Sequence, residues 1–160
     1  MAKKKIKIFV ECNPDKHVLL SLGFSPRKIR HEGGVGNVVK KVNNFSPSVG
    51  MIDEDPQGTH PKIRDYFDEY GLEFGLKLLK FPGDNKKVLV VICPKLEDWL
   101  YDRAKVIGIR PKDYSLPDDP SDLHGIPDVQ NNPNFQKFIK DLHKDKGFKQ
   151  LKKWITENSK

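Results

Sequence analysis

A chain of 160 residues with 36% hydrophobic and 32% charged side chains has the length and composition of one globular domain with its own core. No apolar run approaches the roughly 20 residues of a membrane span, which excludes a helical membrane anchor within the sequence. The net charge of +7 is uneven: residues 1–30 carry eight Lys/Arg against two acids, residues 131–160 eight against three, and the hundred between them sum to −4.

A basic rim around an acidic middle suits a protein that attracts polyanions, DNA or RNA among them. Solubility charge on a lysine-rich surface is the plainer alternative. Cys12 and Cys93 lack CxxC spacing, so neither a disulfide framework nor a zinc knot is expected. The basic start "MAKKKIKIFVEC" enters a charged strand rather than a signal-peptide core, and a cytoplasmic protein is the expectation.

In chain order, "KIKIFVE" (5–11) reads as a strand, and "PDKHVLLSLG" (14–23) as a helix opened by proline and stopped at Gly23. "PRKIRHE" (26–32) reads as a short strand. "GGVGNVVKKVNN" (33–44) is a glycine-rich loop feeding a helix with Val35, Val38, Val39 and Val42 on one face. "PSVGMID" (47–53) is a buried strand. The three- and four-residue recurrence of Ile63, Tyr66, Phe67 and Tyr70 predicts a helix over 60–71.

"LKLLKF" (76–81) and "KKVLVVIC" (86–93) are strands joined by the turn "PGDN". "PKLEDWLYDRAKVIG" (94–108) is a helix with Leu96, Trp99, Leu100 and Ala104 inward. The proline-rich stretch 109–134 reads as a long connection or flap. Two amphipathic helical stretches, broken near Gly147, close the chain. Alternating strands and helices predict an α/β three-layer sandwich on a mostly parallel, Rossmann-like sheet with one antiparallel strand. Residues 1–108 would form the α/β domain, and 109–160 a connection and C-terminal helices packed on it.

In such a sheet, reactive residues gather where the carboxyl ends of strands meet the following loops. Glu11 ends the first strand and is followed by "CNPD". Asp53 and Asp55 flank Glu54 after the third strand. Glu97 and Asp98 open the helix after the fifth. Carboxylates crowded into a dry crevice raise one another's pKa unless a cation neutralises them, and Mg²⁺ accepts a few carboxylates plus waters and phosphates. Asp53 and Asp55, two apart in extended chain, can face one way while Glu54 faces another. "DEDP" as a solvated turn, and "EDW" as ordinary helix N-terminal acids, are the structural alternatives.

The glycine loop offers Gly34, Asn37 and Lys40 as possible phosphate contacts, although it matches neither a Walker A nor a GxGxxG pattern. His31 and His60, beside the acids, are candidates for accessory roles. His17 reads as a helix-boundary residue, and His124 and His143 carry no signal.

The ordered set of Glu11 with Asp15, "D-E-D" at 53–55 and "PKLEDWL" at 94–100 resembles the Toprim family, especially small stand-alone Toprim-like and OLD-type nuclease-related proteins. The resemblance covers roughly residues 5–105. Cys12 stands where that family usually has glycine, and the segment from 109 onward matches nothing in it. The resemblance implies Mg²⁺ (or Mn²⁺) held by Glu11, Asp53 and Asp55. Glu97 would orient water or a second ion, and the chemistry would be nuclease-like cleavage of nucleic-acid phosphodiesters. The rival expectations are an interaction or regulatory module with a protein partner on the same fold, and a nucleotide or phosphate binder using residues 33–40.

Overall fold

Three strands carry the centre of the molecule through buried, largely apolar runs such as Val88–Ile92, the pattern of strands covered on both faces. In the computed structural model these are β1 (Ile8–Val10), β3 (Ser48–Asp53) and β6 (Asp84–Ile92). The structure describes residues 6–54, 63 and 67–160, with 67–71 described by their backbone.

β2 (Ile29–His31) borders β1, and β5 (Leu76–Phe81) and β4 (Phe67–Glu73) extend the other side, giving the order β2-β1-β3-β6-β5-β4. The β2-β1, β1-β3 and β3-β6 pairs are parallel; β5 runs against both its neighbours. One antiparallel strand in an otherwise parallel sheet is what the chain pattern predicts.

Alternate residues feed two cores. Ile8, Val10, Val49, Met51, Val88, Val90 and Ile92 face a large layer built from α1 (Asn13–Ser21), α3 (Leu96–Val106), α4 (Pro120–His124), α5 (Pro133–Asp141) and α6 (Lys146–Asn158). Phe9, Ile52, Leu89 and Val91 face α2 (Val35–Asn44) through Val38, Val39 and Val42. The result is three layers. Gly50 sets how closely α2 approaches: a Cβ there would meet Val38, Leu89 and Val42 at 2.7–2.9 Å.

The segment 109–134 is not a bare connection. It folds into a 3₁₀ turn at Pro111–Tyr114, then α4, then a second 3₁₀ turn at Val129–Asn131, each short because prolines and turn formers interrupt it. Leu116, Leu123 and Val129 anchor these turns in the large core. The helical break near the C-terminus lies at Leu142–Lys144 rather than at Gly147, which is inside the first turn of α6.

The helix expected over 60–71 is overturned for its described part, since Phe67–Glu73 is strand β4. The decisive element is the Phe74–Gly75 turn, with φ of 52° and 75°. Positive φ at both central residues is the signature of a type I′ hairpin, which pairs the flanking segments as strands. Glu73 opposes Leu76 and Leu72 opposes Lys77 across it, and the register then shifts before Asp68 and Phe67. Long-range pairing thus overrides the local helical spacing of aromatic residues. The remainder of that expected helix, apart from Ile63, lies outside the described residues.

The start of α6 is fixed by an ion pair. Asp145 is 1% exposed and caps the helix by accepting from the Gly147 and Phe148 amides at 2.8 and 3.2 Å. The Arg103 guanidinium on α3 donates two bonds to the same carboxylate at 2.8 and 2.7 Å. Gly147 leaves the room for this: a Cβ there would lie 2.8 Å from both Arg103 Nε and Asp145 Oδ2. Asp145→Ala strands a largely buried guanidinium and removes a cap, and is expected to cost about 3–5 kcal/mol in chemical denaturation. Asp113→Ala, which breaks the exposed Arg110–Asp113 pair, is the control and should cost no more than about 1 kcal/mol.

Candidate active site

Parallel pairing brings the ends of β1 and β3 side by side, since Val10 aligns with Met51, and β6 ends beside Asp53 with Ile92 opposite it. Whatever follows each strand therefore meets at one edge of the sheet. Glu11 follows β1, Asp53 ends β3, and α3 begins at Leu96 shortly after β6. Two hydrogen bonds stitch these elements together. Glu11 Oε1 accepts from the Asp53 amide at 3.1 Å, and Asp53 Oδ1 accepts from the Leu96 amide at 3.0 Å. Both carboxylates are thereby oriented by backbone, the most rigid donor the fold has.

Asp15 joins them from the first turn of α1. It is 2% exposed, and its Oδ2 accepts from the Cys12 amide at 3.2 Å and from the Cys12 thiol at 3.0 Å. Its other oxygen, Oδ1, is buried without a hydrogen-bond partner. The Cys12 thiol thus adds a second donor, beside the Cys12 amide, to this buried acid. Burial, and then Asp15, push the Cys12 thiol well above its ordinary range.

Glu97, in the first turn of α3, is the fourth acid. Its carboxylate is 14% exposed and lies 3.0 Å from Nδ1 of His124, a mostly exposed side chain on α4.

The four acids act on one another electrically. Burial first, then Asp15, Glu11 and Glu97, push Asp53 up to about 8. Burial, opposed by the bond from Cys12 and reinforced by Glu11 and Glu97, pushes Asp15 up to about 7. Asp15 and Asp53, both pushed up, make this edge a place that favours positive charge, whether protons or a cation.

Glu54 behaves differently. Its carboxylate turns toward β5 and β6, bonding Lys77 at 3.0 Å and the Cys93 thiol at 3.3 Å, and the bond from Lys77 holds it below its usual range. The alternation expected of "D-E-D" is present in its first two members. Asp55 and His60 lie outside the described residues.

Among the described residues no three His, Cys, Asp or Glu side chains form a closed metal-binding group. Mg²⁺ does not require one, because it keeps several waters and commonly takes only one or two carboxylates plus substrate phosphates. The hard oxygen donors of Glu11 and Asp53, the partnerless buried Oδ1 of Asp15 and the raised affinity of Asp53 for positive charge fit such an ion.

The glycine loop packs against the same end of the sheet, the Gly33 amide donating to the Glu11 carbonyl at 3.0 Å. Its expected phosphate contacts are only partly available. The Asn37 amide is spent on the Glu32 carbonyl at 3.0 Å, Gly34 is the N-cap of α2, and Lys40 is exposed. His31 is exposed at the end of β2.

His124 is the residue that sequence reasoning passed over. It contacts Glu97 from 27 positions away, across a proline-rich stretch without periodicity, so no local pattern marked it. Asp15 stood in the sequence as the acid following Glu11 in the Toprim-like pattern, but its burial is a tertiary fact.

No family model, no curated protein and no solved structure matches this chain.

The raised carboxyls predict an inverted pH profile. A folded-state pKa above the unfolded value means the native protein binds more protons between about pH 4 and pH 8, so stability rises as pH falls through that window. Thermal melts of metal-free protein should show a higher Tm at pH 6 than at pH 8.5. Asp53→Asn should flatten the difference. A profile unchanged by Asp53→Asn would contradict the electrostatic account.

Proposed function

We propose that this chain is a small Toprim-like protein that acts on nucleic-acid phosphodiesters with a divalent cation, Mg²⁺ or Mn²⁺, held by Glu11 and Asp53 together with Asp55. The observation that carries the reading is the meeting of Glu11, Asp15, Asp53 and Glu97 at the carboxyl edge of parallel strands. There burial and their mutual repulsion push Asp53 up to about 8. The same edge is where open α/β sheets place their ligands. A parallel run of β2, β1, β3 and β6, with an acid after β1 and another at the end of β3, is consistent with the Toprim-like resemblance.

A bound cation supplies charge neutralisation and Lewis acidity toward the phosphodiester and its attacking water. The chain's own groups do the rest. The Asp53 and Leu96 amides hold the Glu11 and Asp53 carboxylates in fixed directions, so little reorganisation accompanies binding. Glu97, steadied by His124, is the acid available to orient the attacking water. Asp15, buried behind them, holds or releases a proton as the local charge changes. The net positive charge of the chain favours its encounter with a polyanion. A cytoplasmic setting is part of the proposal and agrees with two cysteines that form no disulfide.

The test is cleavage of end-labelled single- and double-stranded DNA and RNA with Mg²⁺ or Mn²⁺, alongside calorimetric titration of the cation. Asp53→Asn should lower cleavage by more than about 100-fold, beyond the roughly 10–100-fold lost with an outer-shell partner. Glu54→Gln, whose side chain faces Lys77, should stay within a few-fold of the parent. Absence of cleavage on every substrate together with absence of cation binding would overturn the proposal.

A further inference from the structure

A second feature lies at the opposite end of the sheet from the acids. Between the C-terminus of α2 and the starts of β1 and β3 is a hollow of about 510 Å³ whose lining includes Lys7, Phe9, Arg30, Lys41, Phe45 and Pro47. Among the described residues its lining has three cationic side chains and no acidic one.

Phe45 is 50% exposed, which is unusual for a large apolar side chain with a core directly beneath it. Its ring rests 5.9 Å, centroid to centroid, from that of Phe9, which is 2% exposed and belongs to the core under α2. A buried ring therefore holds an exposed one in place. The Lys41 ammonium sits 5.9 Å from the Phe45 centroid. Arg30 is 55% exposed and uses Nε on Glu32 at 3.1 Å, while Lys7 donates to the Lys160 carbonyl.

A fixed, half-exposed aromatic ring among cations is the arrangement by which proteins take up unpaired nucleic-acid bases. The base stacks on the ring, and the adjoining phosphates meet the lysines and arginine. The volume suits one nucleotide-sized group. Duplex bases are stacked on each other and offer no face to such a ring. From Pro47 in its lining, Asp53 lies six residues on along β3, about 20 Å at the usual rise of a strand, a length that a few nucleotides of extended chain bridge.

We propose that this hollow is a single-strand nucleic-acid subsite, with Phe45 as the stacking platform and Lys41 and Arg30 as the phosphate contacts. It deepens the nucleic-acid reading above by assigning single-stranded polymer as the substrate class. Its test needs neither metal nor cleavage, so the two readings fail separately.

The experiment is fluorescence anisotropy of a fluorescein-labelled oligothymidine of about 12 nucleotides in EDTA, titrated with the full chain. Phe45→Ala should weaken binding about 5- to 150-fold, the range for loss of one base-aromatic contact, and Phe45→Trp should retain it. Lys41→Gln should reduce the slope of log affinity against log salt by about 0.7. A duplex of the same length should bind more weakly and be insensitive to Phe45→Ala.

No binding by the parent chain, or equal binding by Phe45→Ala and the parent, would overturn the inference. So would a Phe45→Ala variant that binds normally but sediments as a smaller species, which would assign the hollow to a second copy of the chain. Melting temperatures of the variants, expected to match the parent because the ring is half in solvent, separate lost contact from lost fold.

Discussion

Two backbone hydrogen bonds organise the acidic edge of the molecule: Asp53 N–H to Glu11, and Leu96 N–H to Asp53. They join β1, β3 and α3, three elements that are far apart in sequence and are adjacent only because the strands run parallel. They also spend one oxygen of each carboxylate on a fixed donor, which costs each acid its freedom to rotate. Charge repulsion among Glu11, Asp15, Asp53 and Glu97 works against this arrangement, and the fold tolerates it because the remainder of the sheet is so well buried. Val10, Met51 and Ile92, which stand beside the acids, are fully enclosed.

That conflict between a well-packed sheet and a repulsive edge is what one expects of a functional site rather than of a turn. Local rules for folding are satisfied almost everywhere else: α5 and α6 are capped by Asn132 and Asp145, α2 presents a single valine face, and the Arg103–Asp145 pair closes α3 onto α6. Where a chain departs from its own consistency, the departure usually has a use. Here the cost is partly met from within, by the Cys12 thiol and amide on Asp15 and by His124 on Glu97. The remainder is a standing preference for positive charge.

Much of this was legible beforehand. Buried strands announce themselves through runs such as Val88–Ile92, and the acids at strand ends follow from where those runs stop. The alternation at 53–54 is simple strand geometry, and Glu54 does turn away to Lys77. Other features resisted prediction for definable reasons. Tyr70 and Phe67 share a helical spacing, yet the Phe74–Gly75 turn, two residues long, recruits that segment into β4. His124 owes its place to a contact with Glu97 that has no signature in a single sequence, and Asp15, although part of the motif, owes its raised pKa to burial. The segment 109–134 reads as loop because its helical turns are each shorter than the window in which periodicity can be seen.

Charge is arranged along the sheet as well as across it. Acids crowd the carboxyl edge, while Lys7, Arg30 and Lys41 surround an exposed ring near the other end. The central claim, however, rests on the acidic edge alone. Its most direct test is a crystal soaked in Mn²⁺ and measured for anomalous scattering. The account predicts a peak between the Glu11 and Asp53 carboxylates, lost in Asp53→Asn crystals. Ordered carboxylates in a saturating soak, with no anomalous peak between them, would contradict it.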